Sequence, residues 1–121
     1  MGSVNLSSKQ EHDLQKIVDD LSSDDAFVRR SAREELTKFL NSSPTDQAAT
    51  VTSRLLQNLS LKSYRFQLGL AIALARLSGE ASVENPSAAR QELDRALNAP
   101  AARDSTLKNE LNKARNKMPR L

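Results

Sequence analysis

The sequence holds no cysteine and no tryptophan, one histidine, three glycines and four prolines. Without thiols there is no disulfide framework, no cysteine nucleophile and no cysteine-ligated zinc or iron–sulfur site. His12, alone, supports neither paired-imidazole catalysis nor a histidine-rich metal site. Glycine only at positions 2, 69 and 79 excludes the glycine-rich loops that cradle phosphates. Aromatic residues are 3 % of the chain, namely Phe27, Phe39, Tyr64 and Phe66, which leaves little to grip an extruded base. No stretch approaches the ~20 apolar residues that cross a bilayer. The longest apolar-rich run, Leu68 to Leu77, is interrupted by Gly69 and Arg76. Met1 to Ser8 carries neither a basic nor an apolar leader segment, so the expected location is cytoplasmic, with no membrane partner.

What is present is a chain of 121 residues, 38 % hydrophobic and 27 % charged, which suits one globular domain with a continuous core. Alanine, leucine, arginine and serine dominate and favour helix. Six helices follow from the apolar periodicity, with no strand among them. The first, over Ser8–Leu21, opens on a capping box of Ser8 and Glu11 and carries the stripe Leu14, Ile17, Val18, Leu21. The second, over Asp25–Asn41, follows the acidic turn Ser22-Ser23-Asp24-Asp25 and buries Val28, Ala32, Leu36 and Phe39, flanked by Phe27 and Leu40. The third opens at Ser43-Pro44, with Ser43 as cap, and carries Ala48, Val51, Leu55, Leu56 and Leu59. The fourth, over Lys62–Ser78, has almost no polar face and is closed by Gly79 as a left-handed cap. A helix apolar all round is covered on several sides, so this is the central element. Gly69 within it costs about 1 kcal/mol against alanine, and its presence predicts a helix packed close by. The fifth enters at Asn85-Pro86, and the sixth spans Asp104–Met118 with Leu107, Leu111, Ala114 and Met118 on one stripe.

These helices pair as three hairpins, with Leu21, Leu59 and Leu97 closing each first helix at a spacing of 38 residues. Hairpins that cannot bury their own stripes stack on their neighbours, and three are about the minimum for a stable array. Residues 14–40 carry Leu21-Ser22-Ser23-Asp24-Asp25-Ala26-Phe27-Val28-Arg29-Arg30-Ser31-Ala32 and then Leu36, and resemble a HEAT repeat. The second hairpin keeps Arg65 but has Leu61-Lys62-Ser63 in its turn and a bulky Leu68, and the third keeps only the stripe. The resemblance implies a right-handed α-solenoid of HEAT/armadillo type, whose second helices line one surface that binds other macromolecules. A few such relatives bind DNA, and some are enzymes acting on its bases. The expected layout is a flexible N-terminus or tag remnant over 1–7, a three-hairpin domain over 8–118 and a short tail over 119–121.

Charge is uneven along the chain: residues 1–50 carry six Lys/Arg and nine Asp/Glu, while residues 101–121 carry six and two. The C-terminal cations are Arg103, Lys108, Lys113, Arg115, Lys117 and Arg120. They solvate a last helix or meet nucleic acid or an acidic partner. Arg29, Arg30 and Arg33 form a candidate carboxylate or phosphate patch, with Glu34, Glu35 and Asp25 near enough to neutralise it. Arg29 with Asp24 matches a pair that ties turns together in HEAT-like repeats. Tyr64 and Arg65, at the start of the fourth helix, are placed to grip a peptide or stack on a base, or to pack between hairpins. The acidic group Asp19, Asp20, Asp24, Asp25 lacks the glycine and bidentate glutamate of a calcium loop. No catalytic residues, cofactor or metal are therefore expected. The expected function is a non-enzymatic protein–protein interaction or scaffold module whose partner-binding residues are Arg30, Arg33, Tyr64, Arg65, Lys108, Lys113 and Arg115. The alternative is nucleic-acid binding through the basic last helix. Exposed stripes at the ends of an array also admit a homo-oligomer.

Overall fold

The structure, a computed structural model, describes residues 5–119, so Met1-Gly2-Ser3 and Arg120 lie outside the described residues, as does the side chain of Arg103. Among the described residues there are six α-helices and no strand: α1 (Ser8–Leu21), α2 (Ala26–Ser42), α3 (Thr45–Leu56), α4 (Tyr64–Ala75), α5 (Pro86–Leu97) and α6 (Ser105–Asn116). Short 3₁₀ turns at Leu59–Leu61 and Pro100–Arg103 precede α4 and α6.

Side chains that satisfy the first backbone N–H groups start most of the helices. Asp25, Ser63, Asn85 and Asp104 cap α2, α4, α5 and α6 in turn. Two helix starts differ from the sequence expectation. The capping box of α1 is Ser7 with Gln10, one residue before Ser8 and Glu11. Both serines fit the pattern, and Leu6, drawn against the core, sets the earlier register. Ser43 does not cap α3, because its hydroxyl bonds backward to the carbonyl of Phe39 at 2.6 Å. Pro44 stands at that cap position instead, without a side-chain bond.

The end of α4 also differs. Helical geometry stops at Ala75 rather than Ser78, and Gly79 is not left-handed. The helix closes on its own amides, Arg76 to the Ala73 carbonyl and Leu77 to the Leu74 carbonyl, both at 3.2 Å. The segment beyond is tied to the end of α6, where Lys117 Nζ donates to the Leu77 carbonyl at 2.8 Å and Ala81 N donates to the Lys117 carbonyl at 2.8 Å. Among the described residues the one left-handed non-glycine residue is Asn58, at the turn after α3, whose amide is held by Glu92 at 3.2 Å.

Successive even-numbered helices run parallel in steady register. Between α2 and α4, Thr37 Oγ1 donates to the Ala73 carbonyl and the Ser78 amide donates to Asn41, partners 36 and 37 residues apart. Between α4 and α6, Tyr64 bonds Asp104 and Lys117 bonds Leu77, both 40 apart. The odd helices show the same habit, since Thr50 with Glu84 and Asn58 with Glu92 are both 34 apart across the α3–α5 seam. Within the last hairpin the helices run antiparallel, as Arg115 reaches back to Asp94 at 2.7 Å and Arg90 to the Met118 carbonyl at 3.2 Å.

The core is one cluster to which all six helices contribute, and α4 is its centre. Phe66, Gln67, Gly69, Leu70, Ala71, Ala73 and Leu74 of α4 are buried, and it packs against α1, α2 and α6. Phe27, expected to flank the apolar face of α2, points outward and is 71 % exposed. The Gly69 expectation is met: a Cβ there would stand 2.9 Å from Leu21 Cδ2. Leu21 is itself fully buried and has little room to yield. Replacing Gly69 by alanine gains about 1 kcal/mol of helix propensity but overpacks a core contact at a cost of about 1–3 kcal/mol. A net loss of about 1 kcal/mol is expected in urea denaturation. Leu21→Ala, which opens that space, makes the double variant less than additive. The fully buried Leu36 and Leu74 give a second test of the helix alignment: Leu36→Ala and Leu74→Ala are each expected to lose about 2–5 kcal/mol.

Candidate functional site

Tyr64, Leu68 and Ile72 recur every fourth residue of α4 and form one line on its surface. Tyr64 is 38 % exposed, and Leu68 and Ile72 are half-buried, whereas Leu70, Ala73 and Leu74 are buried completely. This line is therefore the side of the central helix that its neighbours leave uncovered. On α2, Arg33 lies one turn before Thr37, the residue that touches α4, and is placed beside the line. The charge of Arg33 is felt at the Tyr64 hydroxyl, and the Glu110 carboxylate of α6 is felt at Arg33. The half-open aliphatic line of α4 thus runs between Arg33 of α2 and the side of α6 that carries Asp104 and Glu110, and this strip is the groove referred to below.

Arg33 is electrostatically the least comfortable residue there. Its side chain is half-buried, and its Nε is buried with no hydrogen-bond partner. Among the described residues no carboxylate lies within ion-pair distance of it, nor of Arg30 or Arg76. Burial, followed by the charges of Arg29, Arg76 and Arg30, pushes the guanidinium below its ordinary pKa. The acids that the sequence places nearby do not neutralise this cluster. Asp25 is occupied with capping the Phe27 amide at 2.8 Å, and neither Glu34 nor Glu35 pairs with any arginine. Arg29 is used structurally, donating to the Ser23 carbonyl.

The other expected contact residues are mostly engaged within the fold. Arg65 bonds the Ser23 carbonyl and pairs with Asp24 at 2.8 Å, tying the first interhelical turn to α4, so the partner of Asp24 is Arg65 rather than Arg29. On α6, Lys113 pairs with Glu110 at 3.3 Å, Arg115 with Asp94 at 2.7 Å, and Lys117 holds the Leu77 carbonyl just beyond α4. Lys108 is exposed. Asp19 and Asp20 accept from Gln15 and Lys16 in the same helix, and among the described residues no three His, Asp or Glu side chains converge as metal ligands. His12 is exposed on α1. A second recess, about 530 Å³, lies in the α3–α5 seam between Arg54, Gln57, Glu84 and Glu92. Its walls hold each other together, through Ser53 with the Glu84 amide at 2.9 Å and Glu92 with Asn58. Among the described residues no helix is long and apolar enough to cross a membrane.

No family model matches the chain, and no curated protein or solved structure matches it.

Tyr64 was legible as a helix-start aromatic, but its partner was not: the hydroxyl donates to Asp104, the cap of α6, 40 residues on. That bond, followed by the one from the Thr106 amide, holds the Asp104 carboxyl below the usual carboxylate range. The same bond, followed by burial, raises the phenol above its ordinary value. The contact joins a neutral phenol to an ionised carboxylate. Its contribution to stability is present above about pH 4 and lost as pH falls through the lowered carboxyl pKa. On the alkaline side it is present below about pH 10 and lost as pH rises through the raised phenol pKa. The stability gap between the wild type and Tyr64→Phe is thus expected to be widest between those limits and to close at both ends. Denaturant melts across a pH series read it directly, and a gap independent of pH would remove the contact from the account.

Proposed function

We propose that this chain is a non-enzymatic interaction module: a short right-handed array of three helical hairpins, HEAT-like in its first repeat, that binds a protein partner on its even-numbered helices. The observation that carries the reading is the stacking of those helices, parallel and in steady register, around a central helix with one uncovered apolar line. Helical pairs that bury their stripes only against neighbours make such arrays, and their shared face is an extended surface for a partner. The chemistry of the face fits binding rather than turnover. Arginines and aliphatic side chains lie along it.

The alternative reading, nucleic acid on the basic α6, has less support. Lys113, Arg115 and Lys117 are each bonded within the fold. Phosphates would have to draw them away, although surface ion pairs are worth only about 0–1 kcal/mol and do yield. Anisotropy titrations of labelled single- and double-stranded DNA and RNA at ~50 and ~200 mM salt separate the two, since counterion release makes phosphate binding steeply salt-dependent. Weak binding that vanishes at the higher salt is expected of a protein-binding module with a net charge of +3. Tight binding that persists at ~200 mM salt and is lost on Lys108→Glu/Lys113→Glu would transfer the function to α6.

A further inference from the structure

We infer that the groove along α4 takes a short segment of a partner protein that presents a carboxylate to Arg33 and Arg30 and an adjacent apolar side chain to Leu68 and Ile72. The inference rests on the module reading above and specifies the partner's chemistry. Three observations carry it. Arg33 is a half-buried guanidinium whose Nε has no partner, beside arginines that raise the local positive potential. A desolvated donor without an acceptor is costly, and a carboxylate or other anion placed there satisfies it through charge-assisted bonds. The floor next to it is an aliphatic line left half-open on a helix whose Phe66, Leu70, Ala73 and Leu74 are buried. Arg30 and Arg33 on α2, with Arg76 at the end of α4, stand opposite Asp104, which holds the Tyr64 hydroxyl, and Glu110, which pairs with Lys113 on α6.

That asymmetry selects the ligand class. A nucleic-acid strand would bring a row of phosphates against the two carboxylates and leave the aliphatic floor with little to cover it. A peptide with one acid beside a leucine, isoleucine or aromatic residue matches both the arginines and the floor. The guanidinium fork of Arg33 suits a carboxylate, and the exposed Arg30 one turn earlier on α2 can share it.

The test is a random dodecapeptide library displayed on phage and panned on the full chain, with enriched peptides synthesised and titrated by anisotropy. Enrichment of peptides carrying Asp or Glu next to an apolar residue is expected. Their affinity should fall about tenfold or more on Arg33→Gln and on Leu68→Glu, and stay unchanged on Arg95→Gln, an exposed cation of α5. Arg33→Met guards against a trivial loss of fold. It keeps the aliphatic stem, removes an unpaired desolvated charge, and should melt at or above the wild-type temperature while losing the peptide. Enriched peptides without acids, or binding that survives both Arg33→Gln and Leu68→Glu, would overturn the groove and leave the module reading in place. Concentration-dependent dimerisation lost on Leu68→Glu would overturn the peptide in favour of a second copy of this chain. Salt-resistant nucleic-acid binding in the preceding titration would instead remove the module reading itself.

Discussion

The close contact between Gly69 and Leu21 governs where everything else in this small domain can sit. The central helix has no polar side of any width, so it must be covered by more than one neighbour, and at Gly69 the α1 end of the first hairpin comes within reach of its backbone. A side chain at 69 would hold the hairpin away and open the layer that Leu21, Leu70 and Leu74 fill completely. With α1 seated there and α2 and α6 flanking, the apolar side chains of α4 from Tyr64 through Leu68 to Ile72 stay partly open. The uncovered face is thus a by-product of how tightly the other sides are packed.

The steady register of the even helices comes from polar contacts at their ends rather than from the core, which is non-directional. At the start of α4, Ser63 caps the helix while Arg65 holds Asp24 and the Ser23 carbonyl of the preceding turn. At its far end, Asn41 receives the Ser78 amide and hydroxyl, and Lys117 takes the Leu77 carbonyl. Each of these exposed contacts contributes little alone. Together they satisfy backbone groups that helix ends leave bare, and they do so only in one alignment of neighbours. Gly79 is not needed as a cap, because the Arg76 and Leu77 amides already take the Ala73 and Leu74 carbonyls.

Much of the fold was readable from local signals, because helix starts, apolar periodicity and an unusually apolar segment act over a few residues. Asp25 and Asn85 are caps the sequence advertises, whereas Ser63 and Asp104 cap helices whose starts the apolar periodicity puts at Lys62 and Asp104 themselves, and the all-round apolarity of α4 marks it as central. The failures share one cause. Ser43, Gly79, Phe27 and the Asp24–Arg29 pair were assigned from local pattern, and each was decided by something distant or by competition for the same group. The Ser43 hydroxyl found the end of the preceding helix first, and Asp24 found an arginine 41 residues away. The candidate site was half legible: Arg30, Arg33 and Tyr64 could be named from the sequence. That Leu68 and Ile72 form the floor between them required knowing which side of α4 stays open.

The decisive point about Arg33 is what nearby acids do elsewhere. In a sequence with Asp25, Glu34 and Glu35 around three arginines, mutual neutralisation is the ordinary outcome, and such a patch would attract nothing. Here Asp25 is held by a helix start, and neither Glu34 nor Glu35 forms an ion pair with the arginines. Arg33 therefore carries a desolvation cost that Glu110, beyond ion-pair distance, offsets only in part, and its Nε has no acceptor. Substitution by methionine would keep an aliphatic stem and remove that cost. The proposed peptide site rests on this imbalance: a carboxylate placed there would be stabilised by the charge and would supply the acceptor the fold leaves out.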